Sequence, residues 1–172
     1  AADHPRGSRG RFKTKTRTEP EGGLGTGQVP TPTKNLHGAV EWRTPDGKLH
    51  REDGPASTRP NGTQQWFLNG ELHRDDGPAV IRPGGILEWW VHGKRHRVEG
   101  PAVDLLDGDE EWWLNDKQHR IGGPAVTDDG SLEWWENGKR HRTGGPAVSG
   151  PVIEEWYQRG KLHRLDGPAV IY

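Results

Sequence analysis

The chain has 172 residues, of which only 28% are hydrophobic, while Gly and Pro together number 40. So few aliphatic side chains exclude a thick globular core, yet nine Trp argue against disorder, because disordered chains are poor in aromatics. The absence of Cys excludes disulfides and thiolate metal sites, and no apolar run approaches the roughly 18 residues of a membrane helix.

The net charge of −1 hides an asymmetry. Residues 1–20 carry Arg6, Arg9, Arg11, Lys13, Lys15 and Arg17 against Asp3 and Glu19, a net of +4 that leaves −5 for the remainder. Residues 1–34 have few apolar side chains, many Gly, Pro and Thr, and no hydrophobic period. Such a segment does not fold alone and becomes ordered by lying on something else. It reads as an extended basic arm whose six cations bind an acidic protein surface or nucleic acid. No secretory signal is legible, and the missing methionine at the start reads as a removed initiator. A cytoplasmic or virion location is therefore expected.

From residue 35 to 172 the chain keeps a fixed period. After a worn half-repeat, "LHGAV" (36–40), the phrase "GKLHREDGPA" (47–56) opens a series. His50, His73, His96, His119, His141 and His163 follow one another at intervals of 23, 23, 23, 22 and 22. Trp42, Trp66, Trp89, Trp112, Trp134 and Trp156 keep step with them.

Within each repeat the signals are those of a β-hairpin. In "SLEWWENGKRHR" (131–142) an aromatic run, Asn-Gly and a second short run follow in order, the pattern of a type I′ turn with two positive-φ residues. Asn69-Gly70 and Asn137-Gly138 match it, and His92-Gly93, Asn115-Asp116 and Arg159-Gly160 are weaker versions. The Gly-Pro that follows breaks the ladder, "AV" resumes it, and a second turn such as Asn61-Gly62 or Asp129-Gly130 leads into the next repeat. Helix signals are missing. The predicted fold is an all-β, elongated, single-layer ribbon of about six hairpin repeats, preceded by the arm.

The register of that hairpin bears on the repeated histidine and arginine. A two-residue turn at Asn137-Gly138 sets Glu136 opposite Lys139, Trp135 opposite Arg140, Trp134 opposite His141 and Glu133 opposite Arg142. Transferred along the array, Glu88, Glu111 and Glu155 oppose Arg97, Arg120 and Arg164, and Gln65 opposes Arg74. On this reading the motif is structural glue. Catalysis fits poorly: equivalent histidines stand ~10 Å apart at two strands per repeat, whereas zinc needs its ligands within about 2.1 Å of one ion. The carboxylate before Gly-Pro (Asp53, Asp76, Glu99, Asp166) is Gly122 or Gly144 in two repeats, which a catalytic acid would not be. No catalytic residue, metal, cofactor or small-molecule ligand is expected.

Side chains adjacent on a strand point to opposite faces, so the first Trp of each repeat is assigned to the core. The second position holds Arg43, Phe67, Trp90, Trp113, Trp135 and Tyr157. Two readings stand for its aromatics: a second buried face, or an exposed strip that marks a contact site. At the other end, "GPAVIY" (167–172) leaves Val170, Ile171 and Tyr172 as an apolar edge that invites pairing with another chain, a homo-oligomeric neighbour or an assembly subunit.

The spacing Trp-x-x-Gly-Lys-x-His, seen as Trp90, Gly93, Lys94, His96 and as Trp135, Gly138, Lys139, His141, resembles the MORN repeat family over residues 36–172. Where that family usually has Gly after the His, this chain has Arg and then Gly-Pro-Ala, which is closer to the bacterial and viral MORN-variant repeats. The resemblance implies an interaction scaffold; some family members are associated with membrane lipids, and one bacterial branch is antitoxin-like. A repeat body of net −5 disfavours anionic lipid surfaces. The leading expectation is a non-enzymatic rod anchored by its arm in a large assembly, best exemplified by a phage or virus decoration protein. An antitoxin that blocks a partner protein, or a nucleic-acid-associated protein using the arm, are the alternatives.

Overall fold

The computed structural model describes residues 31–172. Among these there is no helix, and the chain forms 23 short strands, most of two residues. Strand β1 (Pro32–Lys34) pairs with β2 (Val40–Trp42), β2 with β3 (Ser57–Thr58), and β3 with β4 (Gln64–Gln65), all antiparallel. Each later repeat adds two strands to the same sheet, which reaches thirteen strands and ends at Val170–Ile171 without closing into a barrel. At ~4.8 Å per strand its length is about 60 Å. The elongated all-β hairpin ribbon expected from the sequence is what forms. Its first strand lies three residues before the boundary at 35, since Pro32 pairs with Trp42 and Lys34 with Val40. The arm cations Arg6, Arg9, Arg11, Lys13, Lys15 and Arg17 lie outside the described residues.

A second row of strands runs beside the long sheet. After β4 the chain leaves the sheet at Trp66 and forms β5 (Phe67–Leu68) and β6 (Glu71–Leu72), a small hairpin, before β7 (Val80–Ile81) rejoins the sheet. The same hairpin recurs as Trp90–Val91 with Lys94–Arg95, Trp113–Leu114 with Lys117–Gln118, Trp135–Glu136 with Lys139–Arg140, and Tyr157–Gln158 with Lys161–Leu162. Successive hairpins are tied by backbone bonds, for instance Arg74 N–H to Trp90 O at 3.2 Å and Gly93 N–H to Leu72 O at 2.9 Å.

The turns are as predicted. Asn137 and Gly138 take φ of 51° and 76°, and His92, Asn115 and Arg159 take 48°, 51° and 51° at the first turn position. Five hairpins thus share one turn conformation although two of them put His or Arg where a bare Cα or an Asn is favoured. Packing against the neighbouring repeat overrides local preference there.

The core is thinner than the sequence reading placed it. Ala56, Ala79, Ala102, Ala125 and Ala147, from the repeated Gly-Pro-Ala, are 0% exposed, and Val80, Val103 and Val148 lie beside them. The first Trp of every repeat, assigned to the core, is only half-buried. Its backbone N–H donates to the carbonyl of that Ala, as from Trp134 to Ala147 at 2.8 Å. Its ring is covered by a charged side chain instead of an aliphatic one.

Candidate functional site

The predicted register holds as far as Trp134 and then fails. Trp135 pairs with Arg140 and Glu136 with Lys139, and His141 N–H donates to Trp134 O at 3.0 Å. One residue further the strands part. Glu133 is paired with Val126 and Val148 in the long sheet, while Arg142 N–H donates to Tyr157 O of the next repeat. The expected opposition of Glu133 to Arg142 therefore does not form. The same holds for Glu88 with Arg97, Glu111 with Arg120, Glu155 with Arg164 and Gln65 with Arg74. The cause is the interruption of the strand at the first Trp, which sends the residue before it into the sheet and the residue after it into the hairpin.

The motif arginine instead clasps the tryptophan of its own repeat. The guanidinium carbon lies 4.0 Å from the Trp42 ring centroid for Arg51 and 4.2 Å from Trp66 for Arg74. For Arg97, Arg120, Arg142 and Arg164 the distances to Trp89, Trp112, Trp134 and Trp156 are 3.8, 3.9, 3.7 and 3.9 Å. Such cation–π contacts contribute about 0.5–2 kcal/mol each. Each arginine Nη1 also donates to the Pro carbonyl four residues on, at 3.0 Å from Arg97 to Pro101 and from Arg142 to Pro146. The Gly before that Pro leaves the room: a Cβ on Gly145 would sit 3.1 Å from the Arg142 guanidinium carbon. The phrase His-Arg-x-x-Gly-Pro-Ala thus encodes one structural unit. Burial pushes the Arg97 guanidinium below its ordinary value, with Asp104 and Glu110 pulling the other way.

The histidine of the motif joins repeats. Its Nδ1 accepts the N–H of the first turn residue of the next hairpin: Asn69 to His50 at 3.1 Å, His92 to His73 at 3.2 Å, Asn137 to His119 at 3.1 Å and Arg159 to His141 at 3.2 Å. His96 meets the Asn115 side chain at 3.0 Å in the same place. His141→Ala is therefore expected to cost about 1 kcal/mol, the worth of one such bond. His163→Ala should cost less than half of that, because among the described residues no further turn meets it. Urea denaturation of the two variants compares them. Equal losses would place the role of the histidine within its own repeat.

The second aromatic positions, Phe67, Trp90, Trp113, Trp135 and Tyr157, are all half-buried. They form neither a covered face nor an open strip. Arg95 stands between Trp90 and Trp113 at 5.1 and 5.2 Å, and Arg140 between Trp135 and Tyr157 at 5.3 and 5.4 Å. The strand glutamates serve this column, taking the indole N–H of Trp90 (Glu88, 3.0 Å), Trp113 (Glu111, 2.8 Å) and Trp135 (Glu133, 2.7 Å). Arg140 also meets Glu133 at 3.2 Å and Glu155 at 3.6 Å. At the sheet end, Val170 pairs with Glu155 and Ile171 with Glu154, with Ile171 and Tyr172 exposed.

Two places along the rod are concave as well as charged, one of them a cleft of about 440 Å³ lined by Lys139, Arg140, Tyr157, Arg159 and Lys161 among others. The other, between the loops of the fourth and fifth repeats, is a cleft of about 440 Å³ lined by Arg120, Ile121, Gly122, Trp134, Glu136, His141 and Arg142 among others. No family model, curated protein or solved structure matches the sequence.

Proposed function

We propose that this protein is a non-enzymatic interaction scaffold, a β-repeat rod held by its basic arm in a larger assembly. The observation that carries this is the use of the repeated side chains. The Arg–Trp clasp of every repeat and the histidine bonds of the first five hold the rod together, so most of the motif's chemistry serves architecture. What the rod offers outward is surface along about 60 Å, joined to a segment carrying six cations. The likeness to MORN-variant repeats supports the same reading. The setting we favour is the surface of a phage or virus particle, where a projecting module and an anchoring arm serve attachment.

Deletion of residues 1–31, which spares β1, is the test. The shortened protein is expected to keep its circular dichroism and thermal midpoint but to be lost from particles on co-sedimentation. Deletion of residues 1–34 removes β1 as well and is expected to expose β2 as a new edge. Undiminished co-sedimentation of the protein lacking 1–31 overturns the anchoring role. A small stoichiometric complex with one partner protein that survives the deletion points to a blocking protein of the antitoxin kind. Arm-dependent binding to nucleic acid that falls steeply with salt points to the third reading.

A further inference from the structure

The loop that follows the motif arginine differs among repeats in a way the fold does not require. In the first two repeats it supplies a carboxylate to the arginine: Arg51 Nε donates to Asp53 at 2.7 Å and Arg74 Nε to Asp76 at 2.8 Å. The third and sixth loops carry Glu99 and Asp166 at the same position. Only the fourth and fifth have glycine there, Gly122 and Gly144, both in the left-handed region with φ of 82° and 81°. Like those of Arg97 and Arg164, the Nε atoms of Arg120 and Arg142 have no acceptor among the described residues. Neither atom is buried without a partner, as the Nε atoms of Arg95 and Arg140 are.

These two loops are the ones that flank the cleft of about 440 Å³. Ligand sites commonly fall in the range of roughly 300–1,000 Å³. Its walls bring together the guanidinium groups of Arg120 and Arg142, the imidazole of His141, and the rings of Trp134 and Trp135. Ile121, 86% exposed, stands at its rim. The only carboxylate among its lining residues, Glu136, faces His141 Nε2 at 3.7 Å, and Glu110 reaches Arg120 Nη1 at 3.9 Å from outside it. Gly122 lines the cleft, Gly144 follows its lining residue Thr143, and both withhold the negative charge that the first two loops provide.

We infer that this cleft binds an acidic peptide segment of a partner protein, whose carboxylates take the places that Asp53 and Asp76 hold in the first two repeats. The ligand class follows from the molecule's own use of the same arginine, which in the first two repeats donates its Nε–H to a carboxylate while its face stays on tryptophan. An Arg–carboxylate bond of this kind is charge-assisted and directional. The exposed Ile121 and the Trp135 ring give apolar neighbours in the peptide a surface to cover. This inference deepens the scaffold reading by assigning it one contact, and it rests on that reading.

The test uses the full-length, ¹⁵N-labelled protein and a capped peptide alternating glutamate and leucine. Saturable shifts of the Arg120 and Arg142 Nε–H resonances are expected, with no shift from the glutamine counterpart at equal concentration. Gly122→Asp with Gly144→Asp, which restores the residue the first two loops carry, should weaken binding about tenfold, whereas Gly122→Asn with Gly144→Asn should stay within about threefold. Equal binding of the glutamine peptide overturns the inference, as does an unimpaired aspartate variant. Equal loss in the asparagine variant means that bulk, not charge, closes the cleft, and overturns it too. Tighter binding of a phosphoserine counterpart replaces carboxylate with phosphate. Particle co-sedimentation of the aspartate variant is read separately, so failure of the cleft leaves the anchoring role to be judged on the arm.

Discussion

Trp134→Ala is expected to lower the stability of the rod by about 3 kcal/mol, at the low end of what Trp truncation costs in a protein interior. The low end applies because the side chain is half-buried. The loss is still large because the ring is the surface on which Arg142 rests at 3.7 Å. Without it, the guanidinium that binds the Pro146 carbonyl loses its support, and the loop over Ala147 loosens with it. Trp134→Phe keeps a ring in place and should recover most of the difference. Chemical denaturation followed by far-ultraviolet circular dichroism measures both. A cost under about 1 kcal/mol, the size of an ordinary surface effect, would mean that the alanine column holds the repeat unaided.

Gly100→Ala should be comparably severe, at about 3 kcal/mol, from overpacking and backbone strain together. The new methyl would lie 2.8 Å from the Arg97 guanidinium carbon, at a residue whose φ is 139°. To admit it, Arg97 must leave the Trp89 ring or the loop must move. Gly108→Ala is the matched comparison, since φ there is 89° but nothing lies within 4 Å of the added carbon. It carries the left-handed cost alone, about 1–2 kcal/mol. Thermal midpoints of the two variants separate the contributions. If they coincide, the arginine clasp adds nothing to the requirement for glycine before proline.

The turns were legible because their chemistry is local: a pair of positive-φ residues between aromatic and polar runs has few other uses. The pairing of Trp135 with Arg140 followed from them. The clasp was not legible, because a ladder read outward from a turn assumes unbroken strands, and nothing in "LEWW" announces a break at its first Trp. One signal did point to it. Gly54, Gly77, Gly100, Gly123, Gly145 and Gly167 recur in all six repeats, while the residue before them varies between carboxylate and glycine. Several of them have no left-handed φ to explain the choice, so the constraint on them is space, and the arginine four residues before the alanine column's Pro occupies it. The cleft was hidden for a related reason. The glycines at 122 and 144 looked like evidence against catalysis, and only the structure sets Gly122 in a depression that the second glycine's loop flanks at Arg142 and Thr143.

The bonds from each histidine and each hairpin reach the next repeat and no further. A chain built this way carries no length-defining element between its ends, because each unit is stabilised by its two neighbours. Excision of residues 74–96 would rejoin His73 to Arg97 with every bond type re-formed across the junction, and duplication of the same stretch would do the reverse. Each such event changes the reach by ~10 Å and leaves both termini as they were. For a gene that encodes such a product, unequal recombination between its own repeats becomes a source of size variants that fold at once. Reach can then be selected independently of attachment.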